Sequence, residues 1–362
     1  MSGQKFDFNI NHIVLNGIAD LVRVIDKDNN VIFVNSAMKE FFGADETTMT
    51  CEPGDGFFCN VSVAQRSFRT GEIIQREEYI KGNYYSVKCS PVHSETGEIV
   101  GVVEVFRNVT MEKKLQGQII NKNKELTFEM LDAQKIQKSL IPEKGFFKNL
   151  KLDYFYSPSN ILSGDLFNVF EINEDNMGIY IADVMGHGFK SSLITMFISL
   201  LFKNISTKTL LSPSRTLEEI KSRFSSLNID PGIYFTCFYG VYNRKKDNFL
   251  FSNAGHNPCP ILTRDRNSYE LISRGFPISG IFDHINYEEN SVDLFCGDKL
   301  LFMTDGIVET VNKNREPFGL ERIADILNEN SIDEINVIKE ELELYKYRDQ
   351  QDDITCVLFK VL

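Results

Sequence analysis

The stretch Ile181-Ala182-Asp183-Val184-Met185-Gly186-His187-Gly188 decides the predicted fold of the second half of the chain. It has the pattern of a buried strand that ends on an acidic residue and runs into a glycine turn, and an apolar helix is predicted directly after it, over Phe189–Lys203. A strand end holds a carboxylate still, and neighbouring glycines let backbone and ligand approach closely. Alternatively, Asp183 is an ordinary solvated loop residue, which is the commoner role of Asp beside glycine.

Three further acidic sites share the pattern of an apolar segment with a carboxylate at its end. Asp165 follows Gly164, Asp305 follows the apolar run 300–303, and Asp352 with Asp353 precedes the last predicted strand. If these groups converge with Asp183, their charges repel unless cations lie between them. Carboxylate oxygens suit Mg²⁺ or Mn²⁺ better than zinc. Two such ions about 3.5–4 Å apart can bind a phosphate and activate a bridging water, so these residues predict metal-assisted phosphoester hydrolysis.

The composition of the chain excludes several classes of protein. Its 362 residues suit two domains, and its hydrophobic fraction of 42% and charged fraction of 25% are ordinary for a globular protein. A net charge of −12 without a Lys/Arg block argues against nucleic acid as a partner. Seven cysteines without paired spacing, and an N-terminus without a signal-peptide pattern, predict a cytoplasmic protein. The most apolar run, 192–202, is too short to span a membrane.

The first part of the chain has the pattern of an antiparallel sheet with short helices. A hairpin is predicted over residues 21–35, and three strands are predicted at 72–80, 84–90 and 99–107. The characteristic residues are Val24-Ile25-Asp26, Val34-Asn35, Cys89-Ser90-Pro91-Val92 and Arg107-Asn108-Val109-Thr110. In this layout residues 1–110 resemble a PAS sensor domain. The resemblance implies an input module that binds a small molecule or a protein and has no catalytic role.

The ligand of this PAS-like segment stays open. Cys51, Cys59 and Cys89 could bind a soft metal or a redox centre, because thiolates are ligands for such groups. The alternative, that they are small buried residues, is the commoner role of irregularly spaced cysteines. His12 or His93 could ligate haem, but a single histidine is more often an ordinary exposed or hydrogen-bonded side chain.

A helix is predicted across the segment 111–142, which ends at Pro142. Its apolar residues recur with a period near 3.5, and Gln137 occupies one position of the seam, while Lys122 and Glu129 interrupt a strict heptad. The seam consists of Leu126, Met130, Ala133 and Leu140. Two interpretations remain: a solvated connecting helix, or a short parallel coiled coil in a homodimer.

A series of short motifs occurs in order along the rest of the chain. They are Ser163-Gly164-Asp165, Asp183-Val184-Met185-Gly186-His187-Gly188, Asn253-Ala254-Gly255-His256-Asn257-Pro258, Gly297-Asp298, Thr304-Asp305-Gly306-Ile307-Val308-Glu309, Phe318-Gly319 and Asp352-Asp353-Ile354-Thr355. In these motifs residues 134–362 resemble the SpoIIE/RsbU branch of the PPM metal-dependent serine/threonine phosphatases. The resemblance implies an α/β/β/α sandwich of two stacked sheets over residues 143–362, so the chain as a whole is predicted to be α+β. Local patterns agree; they predict, for example, a strand at Lys299–Met303 and a helix at 216–227.

The resemblance also implies roles for individual residues. Asp183 would bridge two metal ions, Mn²⁺ or Mg²⁺, and the carbonyl of Val184 would bind one of them. Asp305 and Asp352 would complete the coordination of the other ion. Asp165 would be the acidic group near the metals or their waters. A water that bridges the metals, and no side chain, would attack phosphorus.

Several positions leave alternatives or depart from the family. Asp353 could replace Asp352 as the ligand, because adjacent strand residues point to opposite faces. His256 and His187 are predicted to be structural turn residues, although a histidine there could be a general acid. Asn168 stands where many relatives have a second acid, which could weaken one metal site. No arginine is expected beside the motifs to clamp the phosphate.

The resemblance implies a PAS-regulated phosphatase whose substrate is a phosphorylated STAS-type anti-sigma antagonist. Homodimerisation is expected through the linker helix and the PAS domain, with no nucleic acid or membrane partner. One alternative is a catalytically weak module that binds a phosphoprotein. Another is a sensor kinase, which the chain does not favour because it shows no Gly-rich nucleotide lid and no phosphoacceptor histidine on the linker.

Overall fold

A computed structural model describes residues 12–43, 61–186, 188–227, 229–230, 232–281, 285–329, 333–348 and 350–362. The chain divides into two compact units, Met1–Glu125 and Leu126–Leu362. Within the described ranges, no helix combines the length and the apolar character that a membrane crossing requires.

The first unit contains a five-stranded antiparallel sheet in the order β2-β1-β5-β4-β3. Its strands are β1 (Leu21–Asp26), β2 (Val31–Val34), β3 (Ile74–Ile80), β4 (Asn83–His93) and β5 (Ile99–Asn108), and its helices are α1 (Ser36–Phe42) and α2 (Val61–Thr70). The hairpin between β1 and β2 turns where the carboxylate of Asp26 accepts hydrogen bonds from the amides of Asp28 and Asn30. The predicted PAS-like sheet is therefore confirmed.

Asn35 joins the start of α1 to β1. Its side-chain oxygen accepts hydrogen bonds of 3.0 Å from the amides of Met38 and Val22, and its amide group donates to the carbonyl of Asp20 at 2.8 Å. The first bond caps the helix, since an Asn at this position accepts from an otherwise unpaired amide. This explains why a fully buried polar side chain is tolerated at a characteristic PAS position.

Four polar side chains cross the buried face of the same sheet. Glu104 lies opposite both Arg23 and Cys89 in the strand register, and it is fully buried. One carboxylate oxygen accepts from Arg23 at 2.6 Å, and the other accepts from the thiol of Cys89 at 3.0 Å and from Arg76 at 3.3 Å. Burial and the carboxylate of Glu104 raise the pKa of Cys89 to about 12, so this thiol stays protonated. Cys89 is therefore a small buried residue; Cys51 and Cys59 lie outside the described residues.

The second unit is built from two six-stranded sheets. The first has the order β15-β11-β10-β9-β8, with β14 paired to β10, and the second has the order β13-β12-β16-β17-β7-β6. The strands are β6 (Gly145–Phe147), β7 (Leu150–Ser157), β8 (Asp165–Glu171), β9 (Asn176–Val184), β10 (Tyr234–Asn243), β11 (Asn248–Ala254), β12 (Ile261–Arg264), β13 (Asn267–Glu270), β14 (Ile278–Ser279), β15 (Asn290–Asp293), β16 (Lys299–Met303) and β17 (Ile354–Val361). The helices that follow the linker are α4 (Phe189–Lys203), α5 (Thr207–Leu210), α6 (Pro213–Ser225), α7 (Asp305–Val308), α8 (Gly319–Asn328) and α9 (Glu334–Tyr345).

The two sheets stack face to face, and helices cover their outer faces. Ile181 in β9 packs in the core between the sheets, where the rings of Phe238 and Phe302 meet edge to face at 5.8 Å. Tyr180 and Ala182, one residue to either side of Ile181, pack instead against α4 and α6. A strand buried on both faces needs an unbroken apolar run, which is the pattern that predicts this strand. The outer face of the second sheet packs against α8 and α9, so the α/β/β/α sandwich is confirmed.

The linker helix, α3, spans Thr110–Lys138 and so ends before Pro142, earlier than predicted. Several of its apolar side chains are exposed in the single chain, including Leu115, Ile119 and Leu126. Gln137 is only 2% exposed and forms hydrogen bonds within the second unit. The expectation that Gln137 lies on a coiled-coil seam is therefore wrong, because its amide group is used inside the sandwich unit. The coiled coil itself stays a prediction.

Candidate active site

The strand alternation brings the acidic residues to one end of the sandwich. In β9, Asp183 lies two residues after Ile181, so its side chain is on the same face of the strand. That face is turned toward the second sheet. In β8, Asp165 has the same parity as Phe167 and lies directly opposite Asp183 in the register. Asp305 begins the short helix after β16. These positions explain how residues far apart in sequence meet.

Asp183 and Asp305 lie close enough to other acids for their charges to interact. Burial is the main cause that raises the pKa of Asp183 to about 7, and the charges of Asp305, Asp352 and Asp353 raise it further. Burial likewise raises the pKa of Asp305 to about 6, with contributions from Asp352 and Glu309. Asp305 and Asp352 thus lie within electrostatic reach of Asp183, and Asp352 lies within electrostatic reach of Asp305.

The acids do not form a closed set of ligands. Among the residues that the structure describes, no three His, Cys, Asp or Glu side chains are placed closely enough to hold one metal ion together. Carboxylates that repel one another are expected to stand apart until a cation lies between them.

Asp165 lies behind the other acids rather than among them. It is 2% exposed, and its Oδ2 accepts hydrogen bonds from Thr304 Oγ1 at 2.8 Å and from Thr355 Oγ1 at 2.6 Å. Burial and the charge of Asp183 raise the pKa of Asp165 well above its usual value. Since Thr304 precedes Asp305 and Thr355 follows the Asp352-Asp353 pair, Asp165 ties together the segments that carry the other acids. Sequence reasoning missed both threonines, although each stands inside a quoted motif.

Asp352 and Asp353 have different environments. Asp353 is 3% exposed and accepts from Ser159 N at 2.6 Å, from Ser159 Oγ at 2.9 Å and from Gly164 N at 2.5 Å. It fixes the loop that leads into β8. Asp352 is exposed, and its Oδ1 accepts from the amide of Asp353 at 2.8 Å. Its oxygens are thus more accessible than those of Asp353, which favours Asp352 as the ligand.

Two glycines allow these segments to approach closely. A Cβ atom on Gly306 would lie 2.2 Å from the carbonyl oxygen of Asp353, and one on Gly164 would lie 2.9 Å from that of Gly186 and 3.0 Å from that of Val184. Both positions therefore require glycine. The amide of Val184 donates to the carbonyl of Gly164 at 3.1 Å, so the predicted carbonyl ligand lies beside the loop of Asp165.

His256 has a structural role, as predicted. It is 2% exposed; its Nε2 donates to the carbonyl of Met303 at 3.0 Å, so its Nδ1 accepts from Thr236 Oγ1 at 3.0 Å. Burial lowers the pKa of His256 to about 4, so it is neutral at pH 7. The ring joins β10 to the end of β16, two residues before Asp305. His187 lies outside the described residues.

Asn168 does not lie beside the acids. It has the opposite parity from Asp165 in β8, and its amide donates to the carbonyl of Leu140 at 3.3 Å. The expectation that Asn168 weakens a metal site is therefore wrong, because the strand turns this side chain toward the helix-covered face.

A cavity of about 660 Å³ lies beside Asp352, and Gly306 is also part of its wall. Arg315 and Arg348 also line it, together with Lys313 and Lys346. The expectation that no arginine stands near the motifs is corrected here. The sequence held a signal for one of them, since Arg348 is only four residues before Asp352.

Comparison with known proteins agrees with this architecture. Residues 173–362 match the family described as Stage II sporulation protein E (SpoIIE), and residues 11–72 match a PAS domain family. The chain is 32% identical over 180 residues to the phosphoserine phosphatase RsbP of Bacillus subtilis, covering 49% of this chain and 44% of the relative. It is 28% identical over 192 residues to the phosphoserine phosphatase RsbU of the same organism, covering 52% of this chain and 56% of the relative.

The chain thus spans about half the length of these curated relatives. Among solved structures, the SiaA-PP2C domain of Pseudomonas aeruginosa superposes with a TM-score of 0.58 at 20% identity, covering 66% of this chain and 98% of that domain. At this identity the likeness concerns the fold alone.

Proposed function

Because the chain belongs to the SpoIIE family, we propose that it is a metal-dependent phosphatase that hydrolyses phosphoserine or phosphothreonine on a protein. The observation that carries the proposal is the position of Asp183 and Asp305 at one end of the sandwich, where the charges of Asp305 and Asp352 raise the pKa of Asp183 and the charge of Asp352 raises the pKa of Asp305. Buried acids whose pKa is raised by neighbouring charges are typical of functional sites and are costly without a purpose.

The donor atoms fit a pair of Mg²⁺ or Mn²⁺ ions. Asp183, Asp305 and Asp352 would hold them with the carbonyl of Val184, an all-oxygen set of the kind that hard divalent cations prefer. When bound, the ions supply Lewis acidity and an activated water for attack on phosphorus. Asp165 would act as a positioning residue, because its carboxylate holds Thr304 and Thr355 beside the ligand segments.

The proposed substrate is a phosphorylated STAS-type anti-sigma antagonist in the cytoplasm. Two relatives are named phosphoserine phosphatases, which supports phosphoserine as the group that is hydrolysed. The PAS-like unit would provide the regulatory input through an unidentified ligand.

Control would pass through the end of the linker helix. The Gln137 amide donates to Ser163 O at 2.7 Å and to Thr195 Oγ1 at 2.9 Å, and its oxygen accepts from Ser163 N at 3.1 Å. The next residue, Gly164, is held by Asp353. A shift of the helix would therefore move the loop before Asp165 and, through Asp353, the Asp305/Asp352 site. Homodimerisation would cover the exposed apolar side chains of the linker helix.

The direct test is the hydrolysis of p-nitrophenyl phosphate and of a phosphorylated STAS protein in the presence of Mn²⁺. The wild type should hydrolyse both, and Asp183→Asn should hydrolyse neither at a comparable rate. Asp265→Asn is the matched control, since Asp265 lies in the exposed turn between β12 and β13. Binding of the phosphoprotein without any turnover by the wild type would contradict the proposal and support a phosphoprotein-binding module.

A further inference from the structure

We propose that the cavity beside Asp352 binds acidic side chains that flank the phosphorylated residue of the substrate. This inference deepens the proposed function and rests on it for the position of the phosphoryl group. We call the group Lys313, Arg315, Lys346 and Arg348 the cationic cluster.

The cavity is suited to hold several side chains of another protein. Its volume of about 660 Å³ lies within the range of roughly 300–1,000 Å³ that is usual for binding clefts. Asp352 belongs both to this wall and to the candidate metal centre. A substrate whose phosphate reaches the metal centre would therefore place the residues next to its phosphoserine against the cavity wall.

The charge of the wall is the reverse of that of the whole chain. The cationic cluster brings four positive charges, against the carboxylates of Glu309 and Asp352, in a chain with a net charge of −12. Lys346 is paired with Glu343 at 3.0 Å. Within the described ranges, Lys313, Arg315 and Arg348 are exposed and form no ion pair. Such a local positive region attracts acidic segments, whereas the rest of the surface repels them.

The loop that carries Lys313 and Arg315 is held firmly. The side-chain oxygen of Asn312 accepts from the amides of Asn314 at 2.8 Å and Glu316 at 3.1 Å, and its amide group donates to the Glu316 carboxylate at 2.7 Å. Glu316 is thereby engaged within its own loop. A bridge between Val311 and Pro317 closes the base of the loop.

A second set of bonds ties this loop to the segment that carries Lys346 and Arg348. Tyr347 N donates to Val311 O at 3.2 Å, and Tyr345 Oη donates to Pro317 O at 3.1 Å. Further along the same segment, Gln350 donates to Ser157 O at 2.6 Å and to Asp352 O at 2.8 Å. The backbone on either side of the cavity is therefore already ordered, and binding would cost little conformational entropy there.

An acidic protein segment fits this wall better than a nucleic acid does. A nucleic acid would have to bind a chain that carries an overall charge of −12, and the attraction of phosphates to scattered lysines is weak without an extended basic surface. Tyr347 is 53% exposed and also lines the cavity, so it adds a partly apolar contact of the kind that protein interfaces use.

The test uses two synthetic phosphoserine peptides with the full chain and Mn²⁺. One peptide carries Asp and Glu on both sides of the phosphoserine, and the other carries Asn and Gln at those positions. Binding is measured by fluorescence anisotropy and turnover by phosphate release, at low and high salt. We expect a preference for the acidic peptide of roughly 3- to 10-fold at low salt, because each exposed ion pair contributes only weakly and a few of them act together. The preference should shrink at high salt.

The decisive variant is the double change Arg315→Glu and Arg348→Glu, which should abolish or reverse the preference. Its matched control is Arg266→Glu with Lys246→Glu, two exposed cations in other turns; Arg266, like Arg315, has a positive φ. Both doubles should keep the wild-type circular dichroism spectrum and thermal midpoint, which verifies that they are folded.

Two outcomes would overturn the inference: equal affinity of the wild type for both peptides, or an equal loss of preference in the control. Failure of the proposed function would look different. In that case no phosphate is released from any substrate, while anisotropy still reports whether the acidic peptide is preferred.

Discussion

Buried carboxylates occur in both units of this molecule, but the charged groups that surround them are of opposite sign. In the PAS-like sheet, burial alone would raise the pKa of Glu104, but Arg23, the Cys89 thiol and Arg76 hold it below its usual value. In the sandwich, the acids that surround Asp183 add to the effect of burial and raise its pKa to about 7. The first group carries its own cations within the sheet. The second carries like charges that external cations would neutralise under the proposed function, and the predictions below test this difference.

The largest expected effect is on the internally neutralised group. Glu104→Gln removes the carboxylate shared by the buried Arg23 and the partly buried Arg76, and it should lower the free energy of unfolding by roughly 3–5 kcal/mol. Urea denaturation of the full chain measures this. The control is Glu98→Gln, since Glu98 is exposed at the β4–β5 turn and should change stability by less than about 0.5 kcal/mol. Equal effects of the two changes would show that the buried pairing contributes nothing.

The second effect concerns the acids of the sandwich. Asp183→Asn should reduce the Mn²⁺-dependent rate by roughly 10²–10³-fold, the usual loss when one key electrostatic group of an active site is removed. The same change should raise the thermal midpoint of the protein in EDTA, because it removes a repelling charge. A variant that loses both activity and metal-free stability would contradict the repulsion inferred here.

The third effect concerns the close approach of the segment that contains Gly306 to the segment that contains Asp353. Gly306→Ala places a Cβ 2.2 Å from the carbonyl of Asp353, so it should cost about 1–3 kcal/mol of stability and reduce activity. The control is Gly117→Ala, in the linker helix, where a Cβ meets nothing within 4 Å. That change should stabilise the helix by roughly 0.5–1 kcal/mol. Thermal denaturation and phosphate release measure both, and an unimpaired Gly306→Ala would refute the contact.

The smallest effect is the pH dependence of the metal-free protein. The folded pKa of Asp183, about 7, exceeds its usual value of 3.8. The folded state therefore binds more protons than the unfolded state between these values, and stability should fall as pH rises from about 4 to 7. The free energy of unfolding in EDTA should decline over this range by on the order of 1 kcal/mol per pH unit at most, and the thermal midpoint should fall with it. The decline should be smaller in Asp183→Asn, and a decline of equal size would exclude Asp183 as its source.

The alternation of apolar residues predicts much of the fold. The strand at Lys299–Met303 and the helix at Phe189–Lys203 have the predicted ends. The helix predicted from residue 216 instead begins at Pro213, because proline fits the first turn of a helix and Ser212 precedes it. Local patterns identify elements well, whereas their ends depend on such details.

The candidate site shows where sequence reasoning stops. The acids at strand ends can be predicted from the pattern of an apolar strand next to an acidic residue. The hydrogen-bond partners of Asp165 depend on how the two sheets stack, and no local sequence pattern encodes that stacking. Asn168 and Gln137 were misjudged for the same reason, since each points into a contact that only the tertiary fold creates. The cationic cluster likewise combines two loops that are distant in sequence.

The most direct test of the central claim is calorimetric titration of the full chain with Mn²⁺ at pH 6.5, in two buffers that differ in ionisation enthalpy. If external cations complete the site, wild-type protein should bind two ions and release protons, because Asp183 is largely protonated at this pH. Asp183→Asn should bind more weakly and release fewer protons. Identical isotherms for wild type and Asp183→Asn, or no binding at millimolar Mn²⁺, would contradict the account.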